Sequence, residues 1–435
     1  MTTSETAETA PYVVLVLQGG GARGAYQAGV YDAMSAAGLE PDWVCGISSG
    51  ALNAAAIACH QKDDRVAALD ALWQKLALPY EPALGLPPQL ARLARAGASM
   101  MTTVAKPHFY RPRPLPPTMY PPGSPGATSL YTDDPLRRTL ESIIDFDAYN
   151  ARPHEERCRL TLGATSVKEG TLHFFDSRHI AIDARHPMAS GALPPGSPGV
   201  VIGDDAYWDG GVVANSPLEP VLRGLLDDAK LAARPIMMVV VDLWSGSGAL
   251  PQNLPEVMWR KDQITYESFM QRSLEQFVDR LWGAGLGLLS AALGEQVLPK
   301  KAQEALRHQL LELAPTDRLP RGALALDRLR ILRLEFTHTD DIVPLGPMDF
   351  APGALQRRRT AGRRSMETLL AASDWKTFGT HDDPCGREYF IKDGTVLGPA
   401  DVPLPAGLMR KLGRKIATET ASEIKAVGDQ VTKKK

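Results

Sequence analysis

Three short stretches hold the residues best able to do chemistry. Gly46-Ile47-Ser48-Ser49-Gly50 fits the pattern G-x-S-x-G, in which small neighbours let a serine sit on a tight turn from strand to helix with its hydroxyl exposed. Only Ser48 is in register, because Ser49 would need glycine where Ile47 stands. A serine hydroxyl is a weak nucleophile until a base takes its proton. Nine histidines are available, and His173, His338 and His381 are candidates, but none has a distinctive setting. Trp208-Asp209-Gly210-Gly211 offers another base, with Asp209 at a predicted strand end and two glycines freeing the backbone behind it. A carboxylate serves directly when partial burial raises its pKa.

The third stretch is Gly19-Gly20-Gly21-Ala22-Arg23-Gly24, which follows an apolar run. Glycines between a strand and a helix let backbone N–H groups turn toward an anion. Gly19, Gly21 and Gly24 also satisfy G-x-G-x-x-G, so two anions compete. A dinucleotide needs an acidic residue at the carboxyl end of the next strand. Asp42 has about the right spacing but precedes that strand, and Ser48 stands at its end instead. The other anion is the transient oxyanion of acyl transfer, held by backbone donors. No Gly-Lys-Ser/Thr follows, so a Walker A phosphate loop is excluded.

The elements that must position these residues follow from local pattern. The β-branched run YVVLVLQ reads as a buried parallel strand, and ARGAYQAGVYDAMSAAG as a helix ending at Gly38. DWVCGI is a second strand and SSGALNAAAIACHQ a second alanine-rich helix. Strand and helix alternating this densely predict a parallel sheet with crossover helices, its loops at one carboxyl edge. RLTLGATSVKEGTLHFFDS predicts two strands about a turn at Lys168-Glu169-Gly170. VVIGDDAYWDGG predicts two more, delivering Asp209 at a strand end, and PIMMVVVDLWSG a further buried strand. Residues 107–125 carry eight prolines and can be neither regular helix nor central strand. Past residue 250 helical, charged segments dominate, with one clear strand at LRILRLEFT.

The ordered set GGGARG, GISSG and WDGG resembles the patatin-like phospholipases, serine acyl hydrolases with a Ser–Asp dyad. The resemblance covers residues 11–245, including ATSVKEGTLHFF and ASGALPPGSPGVVIGDDAYWDGGVVANSPL. It implies an α/β, three-layer patatin-like fold with a mostly parallel central sheet. It implies Ser48 as nucleophile and Asp209 as general base, with Gly19, Gly20 and Gly21 supplying the oxyanion hole. Arg23 would support the loop or the substrate's negative group. Gly24, Gly46, Gly50, Gly210 and Gly211 complete the motifs, and neither a metal nor a cofactor is implied. ITYESFMQRSLEQFV and RRSMETLL resemble a C-terminal extension of unknown function in bacterial members, which gives a largely helical region over 246–405 packed on the hydrolase domain.

Composition bounds the alternatives. The chain has 435 residues and a net charge of −2, which gives no argument for nucleic acid. Four scattered cysteines, Cys45, Cys59, Cys158 and Cys385, suggest neither disulfides nor zinc and fit a reducing, cytoplasmic setting. Residues 1–10 are expected to be disordered and lack the features of a signal peptide. The apolar stretch 281–294 is shorter than the ~20 residues of a spanning helix, so it reads as a buried or an interfacial helix. The tail, 406–435, has eight Lys or Arg against three acids and an amphipathic pattern. Either it packs on the body or it makes peripheral contact with an anionic, inner membrane surface. The expected function is therefore a lipid or ester hydrolase. A non-catalytic lipid-binding or membrane-docking protein is the alternative, and a dinucleotide-binding oxidoreductase a remote one. Oligomeric state is not encoded in these patterns.

Overall fold

The computed structural model describes residues 11–81, 85–87, 90, 94, 108–232, 234–248, 250–252, 254–293, 329–337, 346–373, 375, 387–392 and 395–397. His338, His381, Cys385, Gly294 and the tail 406–435 lie outside them.

Ten strands form one sheet. They are β1 (Tyr12–Leu17), β2 (Trp43–Ile47), β3 (Arg159–Ser166), β4 (Leu172–Asp176), β5 (Val200–Ile202), β6 (Asp205–Asp209), β7 (Ile236–Asp242), β8 (Leu329–Glu335), β9 (Arg387–Lys392) and β10 (Thr395–Leu397). The order is β10-β9-β8-β7-β1-β2-β3-β6-β5, with β4 also on β3. Pairs from β9 through β3 are parallel, and β4, β5, β6 and β10 join antiparallel. The apolar runs predicted as central strands are the central strands: all residues of β1, β2 and β7 are buried. Such runs carry no polar face because helices cover both sides of a parallel sheet.

On one face lie helices α1 (Gly24–Ala36), α2 (Ser49–Ala58) and α3 (Arg65–Leu76). Their small residues, including Ala25, Ala28, Ala51, Ala54 and Ala55, pack against Leu15, Leu17 and Val44. On the other face, Val14, Val16 and Trp43 meet Leu222 and Leu225 of α4 (Glu219–Asp227) and Met270 and Phe277 of α5 (Leu254–Leu293). Residues 281–293 continue α5, and among the described residues no helix is long and apolar enough to cross a membrane. The proline-rich stretch is a loop with two short 3₁₀ turns, its Arg111–Pro112 paired antiparallel with Tyr131–Thr132.

The chain beyond residue 245 does not form a detached layer. β8 pairs in register with β7, Leu329 opposite Ile236 through Glu335 opposite Asp242. Helix α6 (Pro352–Ala372) crosses α1 at two glycines. A Cβ on Gly29 would overlap the Arg359 carbonyl, and one on Gly362 the Tyr26 carbonyl. Arg359 braces the crossing, Nε and Nη2 donating to both Asp32 oxygens at 2.6 and 2.8 Å and Nη1 pairing with Asp70. Backbone contact this close cannot yield as a flexible side chain would, so a bulky residue there forces the helices apart. Gly362→Val is expected to lower unfolding free energy by about 2–3 kcal/mol. Urea unfolding of the full chain checks this, and an unchanged midpoint would contradict the crossing.

Candidate active site

Ser48 is the single residue between β2 and α2, with φ +54° and ψ −124°. It is the one non-glycine residue with positive φ among the described residues, a backbone state that costs on the order of 1–3 kcal/mol. The turn is tight enough that a Cβ on Gly46 would strike the Gly50 carbonyl, and one on Gly50 the Leu17 carbonyl. The G-x-S-x-G glycines are thus required by contact. The Ser48 N–H is held as well: it donates to Ser190 Oγ at 2.9 Å, and that hydroxyl donates to the Gly163 carbonyl at 2.5 Å.

Asp209 reaches Ser48 through strand register. β2 occupies one edge of β3 up to the pair Ile47–Gly163. β4 occupies the other edge, including Ala164 and Thr165. Where β2 stops, β6 takes over its edge, pairing Asp209 with Ala164, Trp208 with Thr165 and Tyr207 with Ser166. The last residue of β6 therefore meets the first residue beyond β2. Ser48 Oγ donates to Asp209 Oδ2 at 2.6 Å, and the Gly211 N–H donates to Oδ1 at 2.8 Å. Thr165 Oγ1 and the Ala192 carbonyl hold the Asp209 backbone, each at 2.9 Å. A Cβ on Gly210 would lie 2.8 Å from the Gly163 carbonyl, so only glycine fits after the aspartate without displacement.

The carboxylate is 4% exposed. Burial pushes the Asp209 pKa up to about 6, and the bonds from Ser48 and Gly211 only partly offset it.

The glycine loop lies beside this pair. A Cβ on Gly19 would fall 2.9 Å from the Ser48 Cβ. The Gly19 carbonyl accepts two side-chain bonds, from Asn215 Nδ2 at 2.9 Å and from Trp244 Nε1 at 2.7 Å. The Gly20 N–H donates to Ser49 Oγ at 3.1 Å. The Gly19–Gly20 peptide is pinned at both ends, whereas the Gly19 and Gly21 N–H groups have no partner among the described residues. Gly21, at φ +58°, starts a 3₁₀ turn (Gly21–Arg23) that runs into α1 at Gly24, which abuts Ser49 and Trp73.

Arg23 is 3% exposed. Its Nη1 donates to the Leu243 carbonyl at 2.9 Å, and its guanidinium lies 4.3 Å from the ring centroid of Trp259, 4.9 Å from Trp244 and 5.3 Å from Phe336. The charge is enclosed by aromatic faces that attract it. Asp42 takes the Val13 N–H at 2.8 Å at the start of β2, the opposite edge of the sheet from the glycine loop. No ribose acid stands beside the loop there.

No described histidine hydrogen-bonds to Ser48 or to the Asp209 carboxylate. His173 meets the Phe175 ring edge-on and lies tilted against Tyr207, His60 bonds the Ala56 and Ile143 carbonyls, and His186 bonds Asp183. Residues without a motif do as much positioning as those with one. Ser49, Ser190, Asn215 and Trp244 fix the two loops. Asn53 links Gly24 O, Gln27 Oε1 and Trp73 Nε1, each at 2.9 Å, and Gln27 holds Gln18 O at 2.7 Å. Ser49 lies inside the G-x-S-x-G motif, and Ser190 and Asn215 lie inside the longer stretch that resembles the family, which is the sequence signal for them. Nothing local marks Trp244 or Asn53.

Residues 15–222 match the family model described as patatin-like phospholipase, so this span of the chain is similar to that family. The mixed α/β architecture with its mostly parallel central sheet agrees with the fold of that family. Among solved structures the chain is similar to VipD from Legionella pneumophila, at 14% identity and a TM-score of 0.36, over 85% of this chain and 69% of that one. It is also similar to a structure of full-length SpcU in complex with full-length ExoU from the type III secretion system of Pseudomonas aeruginosa. There the identity is 15% and the TM-score 0.24, over 84% of this chain and 86% of that one. No curated protein matches.

Asn53→Ala removes three buried bonds at once and strands the Trp73 indole N–H. A loss of about 2–4 kcal/mol is expected, since each buried group left unpaired costs ~1–3 kcal/mol. Denaturant titration measures it, and a change under 1 kcal/mol would show that the network carries no stability.

Proposed function

We infer that the protein is a serine acyl hydrolase of lipid esters working through a Ser48–Asp209 dyad. The observation that carries this reading is the 2.6 Å bond from a strained serine hydroxyl to a buried carboxylate. Asp209 takes the Ser48 proton as Oγ attacks the ester carbonyl carbon. The carbonyl oxygen becomes an oxyanion, for which the Gly19 and Gly21 N–H groups are the free donors, while Gly20 tethers the loop to α2. The neutral Asp209 carboxyl then protonates the departing alkoxide, leaving an acyl-enzyme. Water attacks that ester, Asp209 accepts its proton, and the returning proton restores Ser48 as the fatty acid leaves. Arg23 acts as a brace for the loop, not as a contact for a headgroup.

A base must be ionised to accept a proton, so activity rests on the deprotonated form of Asp209. Turnover is expected to fall as pH drops through about 6 and to level off above it. The pH profile of hydrolysis of a p-nitrophenyl ester tests this; an ascending limb centred near 4 would contradict a buried base. Ser48→Ala and Asp209→Asn should each lower turnover by roughly 10³-fold or more, because members of a catalytic unit fail together. A fluorophosphonate should label wild type and not Ser48→Ala. Equal labelling of the two would sink the mechanism, and absent labelling of a folded wild type would favour a non-catalytic lipid-binding protein.

A further inference from the structure

On the face of the sheet opposite α2, the segment from Asp209 to α4 passes over a cavity of about 190 Å³ walled by α4 and α5. Its apolar lining includes Leu218, Leu222 and Phe277, and its polar lining includes Ser216, Glu219 and Arg280. None of these belongs to the dyad or the glycine loop.

Two features mark the cavity as built for an occupant. Ser216 is 3% exposed, yet its Oγ has no hydrogen-bond partner among the described residues. A buried hydroxyl left unpaired costs about 1–3 kcal/mol, so such groups are rare without something to bond. Arg280 is exposed and makes no ion pair or hydrogen bond among the described residues, so it is available to an anion. Glu219 does not cancel it, because its carboxylate is taken by Arg223 at 2.5 Å.

Size and lining narrow the occupant. At ~30 Å³ per water-sized group the space holds roughly six to eight heavy atoms, too few for a whole phospholipid. The apolar wall favours a hydrocarbon segment, while one guanidinium and one hydroxyl match a single anionic head with oxygen acceptors. We propose that this cavity is a second binding site for a small amphiphilic monoanion, a medium-chain carboxylate, with Arg280 and Ser216 holding the head and Leu218, Leu222 and Phe277 the chain. The site stands on its own residues and does not depend on hydrolysis at Ser48.

Titration calorimetry of the full chain with hexanoate tests this, with hexanol as the headless and inorganic phosphate as the tailless control. Saturable one-site binding of hexanoate is expected, with both controls at least tenfold weaker. Arg280→Gln, a surface change compatible with folding, should weaken hexanoate at least tenfold, and Ser216→Ala severalfold. Ser48→Ala should leave the affinity unchanged. The proposal is overturned by no saturable hexanoate binding, by binding indifferent to Arg280→Gln, by loss of binding in Ser48→Ala, or by phosphate binding as tightly as hexanoate.

Discussion

One edge of β3 serves two partners in succession, and the site depends on that handover. β2 leaves the edge at Gly163 and β6 arrives at Ala164 from the opposite direction. The end of one strand and the end of the other are thereby pressed together with no loop between them. Ser48 follows immediately from the first, and Asp209 closes the second. Burial comes with the arrangement, because a strand end in mid-sheet is covered from both faces. The carboxylate is left with one hydroxyl and one backbone N–H and no cation, which is why burial dominates its proton affinity.

The glycine loop is held from further away. Its Gly19 carbonyl is fixed by Asn215 and Trp244, and the Arg23 guanidinium just beyond it is enclosed by Trp244, Trp259 and Phe336. Three of those aromatic residues fall outside the span matched by the family model. The later part of the chain is therefore part of the scaffold of the site. The same region closes the end of β7: Arg333 on β8 donates to Asp242 at 2.9 Å and lies 3.6 Å from Glu267 on α5. Burial, with the neighbouring carboxylate, raises the proton affinity of Glu267, and burial raises that of Asp242.

Much of this was readable from the residues. The positions of Ser48 and Asp209, the strand turn at Gly170 and the buried runs of β1, β2 and β7 follow from local chemistry. So does the failure of the dinucleotide reading, since Asp42 comes before its strand and not after it. What sequence left open are the outcomes of long-range packing. Arg23 could have faced a headgroup or the interior, and only the aromatic residues of later segments decide it. That Gly20 bonds Ser49, leaving Gly19 and Gly21 free, depends on how α2 abuts the loop. β9, half of whose residues are charged, and the three-residue β10 are short segments that become strands because β8 offers β9 an edge and β9 offers one to β10.

The register on β3 also sets what the chain can change without cost. Ser48 and Asp209 are 161 residues apart, yet Ile47 just before the serine and Asp209 itself pair with consecutive residues of one strand, Gly163 and Ala164, a step of about 3.3 Å. Lengthening or shortening the surface segments between β3 and β5, or between α2 and β3, leaves that step untouched. A slip of one residue between β6 and β3 does the reverse: it sets Trp208 or Gly210 opposite Ala164 and turns the aspartate to the other face. The protein can thus remodel surface loops that do not include the bracing residues Ser190 and Ala192, while the register of the pair itself tolerates no insertion.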